Sequence, residues 1–191
     1  MKVGVAVEGP SDRIFLDKVL HKHWKPARFH IRALNGRSSL LRRAPQIVDA
    51  FHDLHYRAAC LVVDRHDRPC VAAVVEELAE PANTQCREPR KDRYVWLFVP
   101  VVEIEAWYLA DDKAVASVLP KVAWQAPCDT GSVNAEQVIK GLWQEQYGNV
   151  ALNKPDLARR MAAKFSPENA INHSASFRYF WDAIRELLSR Q

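Results

Sequence analysis

The stretch Val3-Gly4-Val5-Ala6-Val7-Glu8-Gly9-Pro10-Ser11-Asp12 decides how this chain folds. Residues 3–7 are an unbroken apolar run, short and rich in β-branched valine. Such a run marks a strand covered on both faces, as in a parallel sheet. It stops at Glu8, and Gly9-Pro10 turns the chain. Ser11 or Asp12 can cap the helix that follows, in which Ile14, Phe15, Val19 and Leu20 recur at helical spacing up to about His23.

The same sentence structure repeats outward. Residues 29–34 alternate as a second strand, Asn35-Gly36 reads as a turn, and 42–54 as a helix with Ile47, Val48, Phe51 and Leu54 on one face. Residues 58–63 form a third apolar strand ending in Asp64, and 71–78 a short helix. A polar loop is expected over 81–93, a fourth strand over 94–99, and a helix from Glu103 to Leu109. Alternating strands and helices predict an α/β fold with a mainly parallel four-stranded sheet and right-handed crossovers. Beyond Pro120 the strand pattern fades into amphipathic stretches over 135–147, 156–165 and 177–188. The expected organisation is an α/β core over 1–120 with a helical extension over 121–191 packed on it. No linker divides them, so the whole is read as a single domain.

Composition narrows the function classes. The 191 residues carry 27 Lys and Arg against 23 Asp and Glu, a net charge of +4, which permits a polyanionic partner without demanding one. The cysteines Cys60, Cys70, Cys86 and Cys128 form no C-x-x-C pair, which argues against a zinc ribbon or redox motif. Cys60 lies in an apolar run and reads as a small buried hydrophobe. No apolar run approaches 18 residues, and Met1-Lys2 leads directly into the first strand, so neither a membrane span nor a signal peptide is expected. The expectation is a cytoplasmic protein with reduced thiols. No G-x-x-x-x-G-K-[ST] is present, which excludes P-loop nucleotide hydrolysis. The pairs His21/His23 and His52/His55 lack companions at zinc spacing. Trp96, Trp107 and Trp181 read as core. Ser174 and Ser176 beside His173 invite a nucleophile reading, but capping of the last helix suits them better.

The acidic residues carry the chemistry. In open parallel sheets, ligands bind beyond the carboxyl ends of the strands. Glu8 follows the first strand, Asp64 the third, and Glu103 and Glu105 the fourth, so all four project from one sheet edge. Converging carboxylates cannot all stay ionised cheaply, and a hard cation, Mg²⁺ or Mn²⁺, relieves that cost. Any single carboxylate after a strand can equally cap a helix or solvate a loop. Three strands that end alike weigh against that plainer reading.

Three segments carry a family resemblance: Val7-Glu8-Gly9-Pro10-Ser11-Asp12, then Val62-Val63-Asp64-Arg65-His66-Asp67-Arg68-Pro69-Cys70, then Val102-Glu103-Ile104-Glu105-Ala106-Trp107-Tyr108-Leu109-Ala110-Asp111. With Lys154-Pro155 and residues 172–180, they resemble the Toprim-related bacterial family catalogued as domain of unknown function 4276, over nearly the whole chain. The resemblance implies a Toprim-like fold. There, a glutamate after the first strand and an Asp-x-Asp after a later one hold Mg²⁺ for phosphodiester chemistry. Glu8 matches that glutamate and Asp64 the first aspartate. The second aspartate aligns with His66, and Asp67 lies one residue later. Either Asp67 substitutes through a shift in the loop, or His66 ligates, or the metal site is weakened.

Metal-assisted phosphoryl transfer is the chemistry such residues allow, with Glu8 or Glu105 as proton acceptor and Asp64 beside them. Basic residues supply a candidate nucleic-acid surface: Arg37, Arg42 and Arg43 after the second strand, then Arg87, Arg90, Lys91 and Arg93. Arg159, Arg160 and Lys164 lie on a late helix. Lys154 and Arg178 join them if the C-terminal segment folds back over the sheet edge. The leading expectation is a Mg²⁺- or Mn²⁺-dependent nuclease acting on DNA or RNA. The resemblance adds an anti-phage defence setting and a separate partner ATPase; a homo-oligomer is compatible with it. The competing readings are a catalytically silent Toprim-like interaction subunit and a toxin-like RNase.

Overall fold

The computed structural model describes residues 2–24, 28–85 and 94–189. Its sheet holds β1 (Lys2–Val7), β2 (Arg28–Ala33), β3 (Ala58–Val62) and β4 (Tyr94–Phe98), all parallel, in the order β2-β1-β3-β4. Val5 lies opposite Ile31 on one side and Cys60 on the other. The connecting helices are α1 (Pro10–His23), α2 (Arg37–Asp53) and α3 (Val71–Gln85). After β4 come α4 (Glu105–Leu109), α5 (Asp112–Val118), α6 (Ala135–Tyr147), α7 (Lys154–Lys164), α8 (Pro167–Ala170) and α9 (Ala175–Ser189). This is the four-stranded, helix-flanked α/β arrangement read from the sequence.

Strand alternation sorts the core into two layers. Val3, Val5, Val7, Ala58, Cys60, Val62 and Phe98 face α1 and the C-terminal helices, where they meet Phe15, Trp107, Phe165, Phe177 and Phe180. Ala6, Ala59, Leu61 and Val99 face α2 and α3, against Leu40, Ile47, Val48, Phe51, Val74 and Leu78. Gly4 sits on that second face, and a Cβ there would lie 2.3 Å from Phe51 Cγ. The bare backbone lets α2 come down onto β1.

The layers explain where the site must be. From β1 the chain crosses through α1 to β2, then returns through α2 on the other face to β3 and through α3 to β4. Right-handed crossovers running in opposite directions use opposite faces of a sheet. The direction reverses between β1 and β3, and the loops leaving those two strands part to open a crevice.

Several boundaries differ from the sequence reading. Helix α2 begins at Arg37 instead of residue 42, because Leu40, Ala44, Ile47, Val48 and Phe51 form one continuous buried stripe. Helix α3 continues through Pro81 to Gln85, where Pro81 had suggested a loop. The rest of that expected loop, with Arg90 and Lys91, lies outside the described residues. Trp96 is half-buried, not core, lying along Phe98 beside the α9 residue Tyr179. Trp107 and Trp181 are core, and Cys60 is fully buried. The Phe177 amide donates to Ser174 Oγ at 3.3 Å, so Ser174 caps α9. Helix α7 packs along α1, and no described helix is long and apolar enough to cross a membrane.

Candidate metal centre

The strand ends do not fray at the crevice. Beyond β1 and β2, Leu34 N–H donates to the Val7 carbonyl at 3.1 Å and Gly36 N–H to the Glu8 carbonyl at 2.7 Å. Asn35 and Gly36 take positive φ, the latter +102°, as the expected turn requires. Beyond β3 and β4, Val63, Arg65 and His66 donate in turn to the carbonyls of Phe98, Pro100 and Val102 at 3.0, 3.1 and 2.9 Å. These bonds carry Glu8, Asp64, His66 and Glu103 side by side on an ordered rim.

Glu8 and Asp64 are buried neighbours. Glu8 Oε1 accepts the Asp64 amide at 2.9 Å, and its Oε2 faces His66 Nε2 at 3.4 Å. One ligand atom from each of Glu8, Asp64 and His66 lies within 4.8 Å of the others. A carboxylate pair plus imidazole within that span fits the donor set of Mn²⁺, and of Mg²⁺ through its carboxylates. His66 Nδ1 also stands 3.6 Å from Glu103 Oε1. Its backbone is left-handed, φ +49°, a conformation that His, Asn and Asp tolerate better than most residues.

Two further buried carboxylates back this group. Asp12, on the first turn of α1, accepts the Gly9 amide at 2.8 Å and the Ser11 hydroxyl at 3.2 Å. Glu105, opening α4, is 5% exposed and pairs with Lys154 Nζ at 3.1 Å. Burial, then the charges of Asp12, Glu8 and Glu105, hold the Asp64 carboxyl well above the usual range. Burial, with Glu105 and Glu8 adding, raises Asp12 to about 6. His66 moves to about 10 through its contacts with Glu103 and Glu8. Burial works against the Lys154 ammonium, but Glu105 and Glu136 outweigh it and its pKa is raised. The electrostatic pattern is an excess of buried negative charge, partly answered by His66, Lys154 and Arg37.

Of the expected site residues, Glu8, Asp64, His66 and Glu103 come together, and Glu105 joins through its charge on Asp64. Asp67 turns outward, 83% exposed, and pairs with Arg68 at 2.9 Å. Arg37 opens α2 and donates to the Asp64 carbonyl; it pairs with Glu77 at 2.6 Å and stands 3.8 Å from Glu8 Oε1. Arg42 is exposed on α2, and Arg178 donates to the Ile171 carbonyl at 2.9 Å. The sequence suggests only a capping role for Asp12 and none for Tyr108. The available signals are positions in the sequence: Asp12 stands in the first turn of the helix that follows Glu8, and Tyr108 three residues after Glu105.

Fold and site together define an α/β protein with a buried acidic centre at the switch point of a parallel sheet. Within that class the chain belongs to the family described as Domain of unknown function (DUF4276), which matches residues 7–185. Its structure is similar to that of the C-terminal region of the Burkholderia pseudomallei OLD protein, with a TM-score of 0.56 and 17% sequence identity over 97% of each chain. At that identity the likeness is one of fold. None of the curated proteins matches the chain.

Proposed function

We propose that this protein is a divalent-cation-dependent nuclease whose centre is built on Glu8, Asp64 and His66. The observation that carries the reading is their convergence within 4.8 Å at the switch point, with Asp12 and Glu105 buried beside them. Such concentrated, poorly solvated negative charge is costly unless a cation joins it. A bound Mg²⁺ or Mn²⁺ supplies Lewis acidity and orients a phosphodiester.

The chain's own groups then divide the work. Asp64 and Glu8 hold the cation, and the Asp64 amide fixes the orientation of Glu8. Glu105 accepts a proton from the attacking water. Lys154, beside Glu105, meets the phosphate charge of a nucleic-acid strand, with Arg42 and Arg178 as outlying contacts. The anti-phage setting and a partner ATPase rest on the Toprim resemblance alone. The test is cleavage of plasmid DNA and of tRNA with Mn²⁺. Wild type should cleave one of them, and Glu8→Ala should lose at least a hundredfold in rate, in line with losing a metal ligand. Full activity in Glu8→Ala would refute the assignment.

One observation favours a second reading, a silent interaction subunit. His66 lies between Glu8 and Glu103 and is held protonated to about pH 10, so it answers charge that a cation would otherwise answer. Wild type that binds no Mn²⁺ by calorimetry at pH 7.5 would select this reading.

A further inference from the structure

Tyr108 is 1% exposed, and its hydroxyl is buried without a hydrogen-bond partner. A buried phenol nearly always finds one, so this orphan calls for a physical reason. Its setting says which. Tyr108 stands on α4 three residues after Glu105, on the same side of that helix. Its ring lies 4.5 Å from Phe15, which stands three residues after Asp12 on α1. The Phe15 contact seats Tyr108 between the helices that carry Glu105 and Asp12, and burial, with the charges of Glu105, Asp12 and Asp64 adding, holds its hydroxyl well above the ordinary range. The oxygens of Asp12 already serve the Gly9 amide and Ser11, and Glu105 serves Lys154.

We propose that Tyr108 is a positioning residue of the acidic centre, its hydroxyl donating to a carboxylate oxygen of the Glu105, Asp12 and Asp64 group once the centre holds a divalent cation. The assignment rests on the metal reading above. It gives the hydroxyl no work in the cation-free protein and definite work in the loaded one.

The experiment compares wild type and Tyr108→Phe by thermal melting without cation and by calorimetric titration with Mn²⁺. Removing an unpaired buried hydroxyl should leave the cation-free melting temperature unchanged or higher. Losing a hydrogen bond that orients a metal-holding carboxylate should weaken Mn²⁺ binding about tenfold or more. A merely structural hydroxyl would give the reverse split. A lowered cation-free melting temperature, or equal Mn²⁺ affinity in the two proteins, overturns the assignment alone. Wild type that binds no Mn²⁺ overturns the metal centre and the assignment together.

Discussion

Asp12 is the residue whose energetics are most exposed to test. In the folded protein its carboxyl binds a proton more tightly than in the unfolded chain, moving from 3.8 to about 6. That contribution favours folding below about pH 4 and is lost as pH rises through 6. At neutral pH the group is thus a liability in the cation-free protein, by about 3 kcal/mol at most. Asp12→Asn should raise the cation-free melting temperature at pH 7.5 by several degrees and change it little at pH 4, as differential scanning calorimetry would show. The same substitution should weaken Mn²⁺ binding, because the charge that destabilises the empty site attracts the cation. His66 offers a second test. His66→Asp places a further carboxylate where the resemblance expects one, on a left-handed backbone that Asp tolerates. It should lower cation-free stability, since a cation between Glu8 and Glu103 is exchanged for an anion, and raise Mg²⁺ affinity. Calorimetric titration that finds Mg²⁺ binding unchanged would place position 66 outside the ligand set.

At the level of elements, α2 sits close on β1 and carries Arg37 to the acidic cluster. Phe51 occupies the space where a Gly4 side chain would be, so Gly4→Ala must push α2 away from the sheet. Overpacking of this kind costs roughly 1–3 kcal/mol. The displaced helix carries Arg37, which holds the Asp64 carbonyl. Gly4→Ala should therefore lower the melting temperature and also weaken Mn²⁺ binding, although Gly4 lies in the middle of β1 and not at its site end. Loss of stability with unchanged metal affinity would show that α2 does not transmit its position to the site. Most element types were legible because strands 3–7 and 58–63 are continuous apolar runs and the helices carry clear periodic stripes. The boundaries were less so. Pro81 inside α3 and the weak helix formers Ser38 and Ser39 at the start of α2 locally oppose helix, and tertiary packing overrides them.

For the whole molecule, the proposed cation site carries a consequence for folding. A ligand that binds only the native state stabilises it by about 4 kcal/mol at a thousandfold excess over its dissociation constant. Protons compete for Asp64 and Asp12, whose carboxyls are both raised. The Mn²⁺-induced rise in melting temperature should be largest near pH 7.5 and should shrink as pH falls through 6. A rise that is independent of pH would mean that the cation displaces no protons from these two carboxyls. If nucleic acid is the substrate, binding should also weaken steeply with salt, and charge removal at Lys154 and Arg42 should flatten that slope.

The sequence by itself determined the α/β class, the parallel strands and the placing of Glu8, Asp64, Glu103 and Glu105 at one sheet edge. Those features follow from local periodicity and from where each apolar run stops, and a linear pattern records both. Only the tertiary structure decided that His66 meets Glu8 while Asp67 turns to solvent. That choice depends on the backbone bonds of Arg65 and His66 to Pro100 and Val102, which join distant segments. It alone showed that Asp12 lies buried beside the acidic cluster instead of serving only as a cap, and that the Tyr108 hydroxyl is buried and unpaired within reach of the charges of Glu105, Asp12 and Asp64. Burial and mutual charge are properties of side chains brought together from separate elements. They come into being only when the sheet closes against its helices.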